Sequence, residues 1–256
     1  MRKIVFFDID GTILNSRNEI PKRTKESIER LRKKGIYVAI ATGRAPFMFE
    51  TIRKELQIDT YVSLNGQYVV LNNEPIYQFQ IHQGLAEKLV EKSKEQNHHL
   101  IFMSHDSMKA NTKDSRYIQK ALSSINIPYP EVDEEFYKKQ AIHQFLLFCK
   151  EGEEKSYQQA FPMFKFLRWH EYACDVIPKD GSKAEGIKKI IAKLNVEIDA
   201  TYAFGDGYND VEMLRTVGKG IAMGNAPLDV KEKADFVTKH VDDDGIYYGL
   251  KVLELL

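Results

Sequence analysis

The sequence has few cysteines, no net charge and no long apolar run, and each absence excludes a class of protein. Its two cysteines, Cys149 and Cys174, both lie in apolar, strand-like surroundings, which predicts buried thiols. The 37 Lys and Arg residues balance 37 Asp and Glu residues, so no overall field draws the chain to nucleic acid or to an anionic membrane. No apolar run approaches the ~20 residues that a membrane helix needs.

The first residues, Met1-Arg2-Lys3, lead directly into an apolar strand and do not have the layout of a signal peptide. We therefore expect a reduced cytoplasmic protein that binds neither nucleic acid nor membrane. An anionic small molecule would have to bind at a local site. The 256 residues are enough for one domain or two, and the oligomeric state stays open between monomer and homodimer.

The most informative segment begins with the apolar run Val5-Phe6-Phe7 and continues as Asp8-Ile9-Asp10-Gly11-Thr12. The run predicts a buried strand, and in an open α/β sheet ligands bind beyond the carboxyl ends of the strands. Two carboxylates at such a strand end repel each other unless a cation or hydrogen bonds compensate them. The alternative is an ordinary Asp-Gly turn in which both acids are solvated.

Strands and helices alternate on both sides of the middle of the chain, which predicts a parallel sheet with helices on its faces. Helical spacing occurs at residues 21–34, 45–56, 182–194, 209–217 and 246–256. Apolar strands are predicted at 36–41, 61–64, 202–205, 220–223 and 235–238, with a hairpin at 68–71 and 75–81.

The middle of the chain reads differently, with strands at 100–103, 144–149, 164–168 and 171–177 and helices at 84–97, 114–124 and 153–160. This pattern predicts a separate α+β domain. The predicted fold is therefore α/β: a Rossmann-like doubly wound parallel sheet formed by residues 1–81 and 180–256, with an α+β cap domain inserted at residues 82–179.

Three further segments place polar groups at strand ends or at a helix start: Thr42-Gly43-Arg44, Lys183 and the stretch from Gly205 to Asp210. Each alone fits a tight turn, a helix cap or a solvated surface lysine. Together they bring carboxylates, a hydroxyl and an ammonium to one edge of the sheet. That set suits a phosphoryl group, because a metal and Lys183 would screen its oxygens while a carboxylate attacks phosphorus.

These segments resemble the haloacid dehalogenase superfamily of phosphatases, and within it the Cof-type branch with the larger, C2-type inserted cap. The resemblance covers nearly the whole chain and also includes Asn65-Gly66, the stretch 222–226 (Ala-Met-Gly-Asn-Ala) and the stretch 234–238. It implies that Asp8 is the nucleophile that forms an aspartyl-phosphate. It implies that Asp10 protonates the leaving alcohol and later deprotonates the attacking water.

The resemblance also implies the binding residues. Mg²⁺ would be held by the Asp8 carboxylate, the Asp10 carbonyl and Asp206, with Asp210 supporting the metal site. Phosphate contacts would come from the backbone of Ile9 and Gly43 and from Thr42, Lys183 and Asn209. Arg44 is a further candidate for contact with a substrate.

The sequence thus predicts a Mg²⁺-dependent phosphatase acting on small phosphomonoesters, with sugar phosphates or related metabolites preferred. Two alternatives stay open. A phosphosugar mutase would share the aspartyl-phosphate but return the phosphoryl group to sugar, and a non-catalytic metabolite-binding regulator would use the same scaffold without turnover.

Overall fold

The computed structural model describes residues 2–256 and groups them into two compact units. The core unit comprises the residues up to Gly43 together with Phe49–Tyr77 and Ser182–Leu256, and the insert unit comprises Arg44–Met48 and Gln78–Gly181. These limits differ by a few residues from the sequence-based limits at 82 and 179. The short segment 44–48 also groups with the insert unit, whereas the sequence placed it in the first domain. Within residues 2–256 no helix combines the length and apolar character needed to cross a membrane.

The secondary-structure elements are numbered along the chain. The strands are β1 Ile4–Phe7, β2 Tyr37–Ala41, β3 Tyr61–Ser63, β4 Tyr68–Leu71, β5 Glu74–Gln78, β6 His99–Met103, β7 Met108–Ala110, β8 Gln144–Phe148, β9 Phe164–His170, β10 Ala173–Pro178, β11 Thr201–Gly205, β12 Lys219–Ala222 and β13 Phe236–Val237. The α-helices are α1 Lys22–Lys33, α2 Glu50–Leu56, α3 Gln83–Glu95, α4 Arg116–Ser124, α5 Phe136–Lys139, α6 Lys155–Ala160, α7 Lys183–Leu194, α8 Val211–Thr216, α9 Leu228–Lys231 and α10 Gly245–Val252.

The core unit contains an eight-stranded sheet in the order β13-β12-β11-β1-β2-β3-β4-β5. The strands from β13 to β3 are parallel to their neighbours, and β4 runs antiparallel to β3. All four residues of β1 are fully buried, as expected for a central parallel strand covered on both faces. The predicted doubly wound α/β sheet is confirmed.

The central position of β1 determines where the polar segments meet. In the register of the sheet, Phe7 pairs with Ile40 of β2 on one side and with Phe204 of β11 on the other. The next residues along these three strands therefore leave the sheet at one edge. Helix α7 packs near this sheet through Ile187, Ile190 and Leu194, which belong to the same apolar cluster as Ile4 and Phe6.

The insert unit has a five-stranded sheet in the order β7-β6-β8-β10-β9, in which neighbouring strands are antiparallel. Its apolar core joins α3 to one face of this sheet through Leu89, Leu100, Phe102, Phe145 and Leu147. An antiparallel sheet with helices on its face is the predicted α+β architecture.

Several local predictions were less accurate. The predicted helix at residues 45–56 is a 3₁₀ turn, Pro46–Phe49, followed by the shorter α2. The predicted terminal helix at 246–256 ends at Val252. The elements β7, α5 and α9 were not predicted, because three or four residues are too few to show a hydrophobic period.

Candidate active site

The ends of β1, β2 and β11 bring Asp8, Thr42 and Asp206 to one edge of the core sheet. The Asp8 N–H donates to the Phe204 carbonyl at 3.0 Å, and the Thr42 N–H donates to the Val62 carbonyl at 2.9 Å. Asp8 is only 5% exposed. The alternative in which Asp8 is a solvated turn residue is therefore wrong.

Lys183 reaches this edge from the start of α7, where the Ser182 hydroxyl caps the helix by accepting the Glu185 N–H. Its ammonium donates to Asp8 Oδ1 at 2.5 Å and to Asp210 Oδ1 at 2.7 Å, and all three side chains are buried. A buried ammonium is stable only when it is paired in this way. Lys183 thus joins the carboxylates at the sheet edge directly.

Asp210 organises the loop after β11. Its Oδ2 accepts the N–H groups of Asp206 at 3.0 Å and of Gly207 at 2.9 Å, while its Oδ1 accepts from Lys183. Both oxygens are therefore occupied by donors inside the protein. This arrangement suits a residue that supports a metal site by holding the loop that carries Asp206.

Burial and the neighbouring charges shift the pKa values of the groups at this site. Burial raises the pKa of Asp8 well above its usual range; Lys183 opposes this shift, and Asp210, Asp206 and Asp10 add to it. Burial also raises the pKa of Asp206 to about 7, with the charge of Asp210 adding to the effect. Burial alone would lower the pKa of Lys183, but Asp210 and Asp8 outweigh it and hold that pKa above its ordinary value.

The same cluster fits a divalent cation. Asp8, Asp206 and Asp210 each place a carboxylate oxygen within 4.8 Å of the others. One ammonium does not balance three carboxylates, of which Asp8 and Asp210 are buried and Asp206 is half-buried, and oxygen donors are those that Mg²⁺ prefers. The donor set and its excess negative charge therefore suit Mg²⁺.

The other predicted site residues are placed as follows. Asn209 donates to Asn65 Oδ1 at 3.4 Å, which ties the β11 loop to the turn after β3. The Ile9 carbonyl accepts the Leu14 N–H at 2.8 Å and so closes the turn that carries Asp10.

Gly43 is the last residue of its core segment, and Arg44 groups with the insert unit. The roles of Asp10, Ile9, Gly43 and Arg44 stay predictions.

A second group of possible metal ligands, Cys149, Glu154 and Cys174, lies in the insert unit. Arg168 occupies this group: its guanidinium donates to Glu154 Oε2 at 2.6 Å and to Cys149 Sγ at 3.5 Å. A cation there would have to displace an internal positive charge. Both thiols are free and buried, as the sequence predicted, and Arg168 adds a polar contact that the sequence did not indicate.

Comparison with known proteins decides the family. The sequence profile of the haloacid dehalogenase-like hydrolases matches residues 5–250. The chain belongs to the haloacid dehalogenase-like hydrolases. This hydrolase is 47% identical over 254 residues to the Bacillus subtilis protein named "Putative phosphatase YkrA", covering 99% of this chain and 98% of the relative.

Two solved structures extend the comparison. A hypothetical protein from Geobacillus kaustophilus has a TM-score of 0.94 and 49% identity to this haloacid dehalogenase-like hydrolase, with all of both chains covered. The subclass IIB sugar phosphatase BT4131 has a TM-score of 0.89 and 31% identity, covering 99% of this chain and 100% of its own. The predicted family, its Cof-type branch and the enzyme class of phosphatase are confirmed.

Three residues at the site had no role in the sequence-based prediction. Thr12 donates to Asp206 Oδ1 at 3.4 Å, Asn65 accepts from Asn209, and Asn225 donates to Asp206 Oδ2 at 3.1 Å. All three occur in segments that carry the family resemblance. Their partners lie far along the chain, so the sequence signals the segments but does not reveal the contacts.

Gly11 allows the first motif to approach Asp206, and its replacement tests that contact. Gly11 has φ of +73°, and a Cβ there would lie 2.2 Å from Asp206 Oδ2. We expect Gly11→Ala to displace Asp206 and lower phosphatase activity by roughly 100-fold, the effect of a misplacement of about 1 Å.

Gly35→Ala is the matched control, because Gly35 has φ of +71° with open space around it. Both variants bear the cost of about 1–2 kcal/mol for a left-handed alanine. Phosphatase assays and thermal unfolding separate the two effects, and equal activity in both variants would contradict the contact.

Proposed function

We propose that this phosphatase acts through a phosphoryl-aspartate formed on Asp8. The observation that carries the proposal is the buried contact of 2.5 Å between the Lys183 ammonium and Asp8 Oδ1. This contact holds one carboxylate oxygen and leaves the other to attack phosphorus. A lysine at this position also screens the negative charge that a phosphoryl group would bring.

The leaving group and the water require proton transfer, which we assign to Asp10. As the Asp8 oxygen bonds to phosphorus, the ester bond breaks and the Asp10 carboxyl gives its proton to the departing alcohol. A water molecule then attacks phosphorus and passes a proton back to Asp10, while the bond between phosphorus and the Asp8 oxygen breaks, which releases free phosphate and regenerates the Asp8 carboxylate. The phosphoryl oxygens would meanwhile contact the Ile9 and Gly43 backbone, Thr42, Lys183 and Asn209.

We infer that the resident cation is Mg²⁺, held by the Asp8 carboxylate, the Asp10 carbonyl and Asp206. Asp210 supports this set, since it accepts hydrogen bonds from Lys183 and from the N–H groups of Asp206 and Gly207. When bound, the cation supplies positive charge that offsets both the carboxylates and the phosphoryl oxygens.

Removal of metal tests this assignment. We expect excess EDTA to lower activity by about 100-fold or more, since a metal that stabilises transition-state charge contributes several kcal/mol. Adding Mg²⁺ back to the same sample should restore the activity, which controls for damage by the chelator. Full activity in excess EDTA would contradict the assignment.

For the substrate, we propose a small phosphomonoester, preferably a sugar phosphate or related metabolite. The relative BT4131 is named a sugar phosphatase, and the formal net charge of zero gives no overall attraction to polyanions. A panel of phosphorylated metabolites scored by released phosphate tests the proposal. Turnover of sugar phosphates is expected, and activity confined to nucleotides would overturn the preference.

The two alternatives make different products. Given a hexose 1-phosphate, a phosphosugar mutase would form the 6-phosphate without releasing phosphate, whereas a phosphatase would release it. A metabolite-binding regulator would release no phosphate from p-nitrophenyl phosphate. Phosphate release in both assays is the outcome that we expect.

A further inference from the structure

The side-chain amide of Asn225 connects three segments of the core unit just beyond β12. Its Nδ2 donates to Asp206 Oδ2 at 3.1 Å and to the Gly11 carbonyl at 2.8 Å, and its Oδ1 accepts the Val241 N–H at 3.0 Å. Three segments therefore meet at one side chain: the first loop, which follows β1 and carries Asp8 and Asp10, the β11 loop, and the segment before α10. Asn225 is 214 residues from Gly11 along the chain.

The contact with Val241 determines which way the amide faces. A backbone N–H can only donate, so the carbonyl oxygen of Asn225 must point to it. The amide nitrogen then faces the Gly11 carbonyl and the Asp206 carboxylate, which are both acceptors. All three contacts agree with a single orientation, and a flipped amide would lose all of them.

The orientation of the Asp206 carboxylate depends mainly on this amide. Its Oδ2 accepts from Asn225 at 3.1 Å, and its Oδ1 accepts from Thr12 at the longer distance of 3.4 Å. Asn225 also holds the Gly11 carbonyl, which lies next to Asp10 in the chain. Asn225 thus links Asp206 to the loop that carries Asp8 and Asp10, in addition to the longer contact from Thr12 of that loop.

We propose that Asn225 is a positioning residue that aligns Asp206 with the first loop for cation binding. The inference rests on the proposed function, in which Asp206 is a Mg²⁺ ligand. A neutral amide suits the task, because it orients a carboxylate without placing a positive charge against the cation. Partners of this kind around a ligand typically contribute 10–100-fold to metal affinity.

The test compares the Mg²⁺ dependence of wild type and Asn225→Ala by two readouts. One is the midpoint of Mg²⁺ binding, obtained by fitting the logarithmic rise in unfolding temperature with Mg²⁺ concentration, and the other is the midpoint of the Mg²⁺ dependence of phosphatase activity. We expect both midpoints to rise by about 10–100-fold in the variant. Activity at saturating Mg²⁺ should approach that of wild type, because the catalytic groups are still present.

Asp242→Ala is the matched control for loosening of the segment after Val241. Asp242 Oδ1 accepts from both the N–H and the hydroxyl of Ser16 at 3.1 Å, so it anchors the same segment without touching Asp206. We expect the control to keep the wild-type Mg²⁺ midpoints. If Asn225→Ala does not fold, Asn225→Ser is measured in the same way, because its shorter side chain cannot span the three partners.

The outcomes separate this inference from the proposed function. A wild-type protein without any Mg²⁺ response would overturn both. A normal wild-type response with unchanged midpoints in the Asn225 variant would overturn only the role of Asn225. An equal rise in Asp242→Ala would also overturn it, because loop anchoring alone would then explain the effect.

Discussion

Turnover is expected to fall by about 10⁴-fold or more in Asp8→Asn, the scale on which the loss of a nucleophile acts in comparable enzymes. Asparagine keeps the shape of the side chain and can still accept a hydrogen bond from Lys183, but its amide cannot form the phosphoryl-aspartate. Initial rates with p-nitrophenyl phosphate and with the best sugar phosphate measure the loss.

Stability should not fall in parallel with activity. Asp8 is buried beside Asp206 and Asp210, and its pKa is raised chiefly by burial, so an uncharged side chain there removes repulsion as well as one ion pair. We expect the unfolding temperature of Asp8→Asn to match or exceed that of wild type.

Asp229→Asn is the control at an exposed acid of the core unit and should retain full activity. Multiple turnover by Asp8→Asn at a rate near that of wild type would contradict the assignment of the nucleophile.

The free energy of unfolding is expected to fall by about 3–5 kcal/mol in Lys183→Met, the usual cost of leaving buried charges without their partner. The lysine side chain is 1% exposed and pairs with two carboxylates that are 7% and 1% exposed. Its removal leaves those carboxylates and Asp206 without an internal cation. Urea unfolding at neutral pH measures the effect, and activity should be lost as well, because Lys183 also screens the phosphoryl oxygens.

Two comparisons give this prediction a control. Lys188→Met removes a lysine from the same helix, but its pair with Glu185 is about half exposed, so a change below about 1 kcal/mol is expected. The double variant Lys183→Met with Asp8→Asn should recover part of the lost stability, since it removes one of the uncompensated carboxylates. A Lys183→Met protein as stable as Lys188→Met would contradict the electrostatic account of the site.

The local patterns of the sequence were enough to predict the sheet and the positions of Asp8 and Asp206. An apolar run followed by an acid and a glycine encodes both the strand and its end, so short-range chemistry determines what reaches the sheet edge. The register that places Phe7 beside Ile40 and Phe204 then brings the segments together.

Contacts between distant segments were not predictable in the same way. Lys183 was predicted to contact phosphate, but its pairing with Asp210 depends on how α7 and the β11 loop pack. The three contacts of Asn225 involve residues 16 to 214 positions away, and no local period or spacing encodes them. The 3₁₀ turn at Pro46–Phe49 was also missed, because its apolar residues fit a continuous helix equally well.

The phosphoryl-aspartate on Asp8 is tested most directly by trapping it. The enzyme would be mixed with substrate and Mg²⁺, quenched in acid within one turnover, digested with trypsin and examined by mass spectrometry. Cleavage after Lys3 and Arg17 releases residues 4–17, which contain both Asp8 and Asp10, so fragment ions must locate the modification. We expect one added phosphoryl group on Asp8, absent from Asp8→Asn. A peptide that stays unmodified while wild-type enzyme releases phosphate, or a phosphoryl group found on Asp10, would contradict the account.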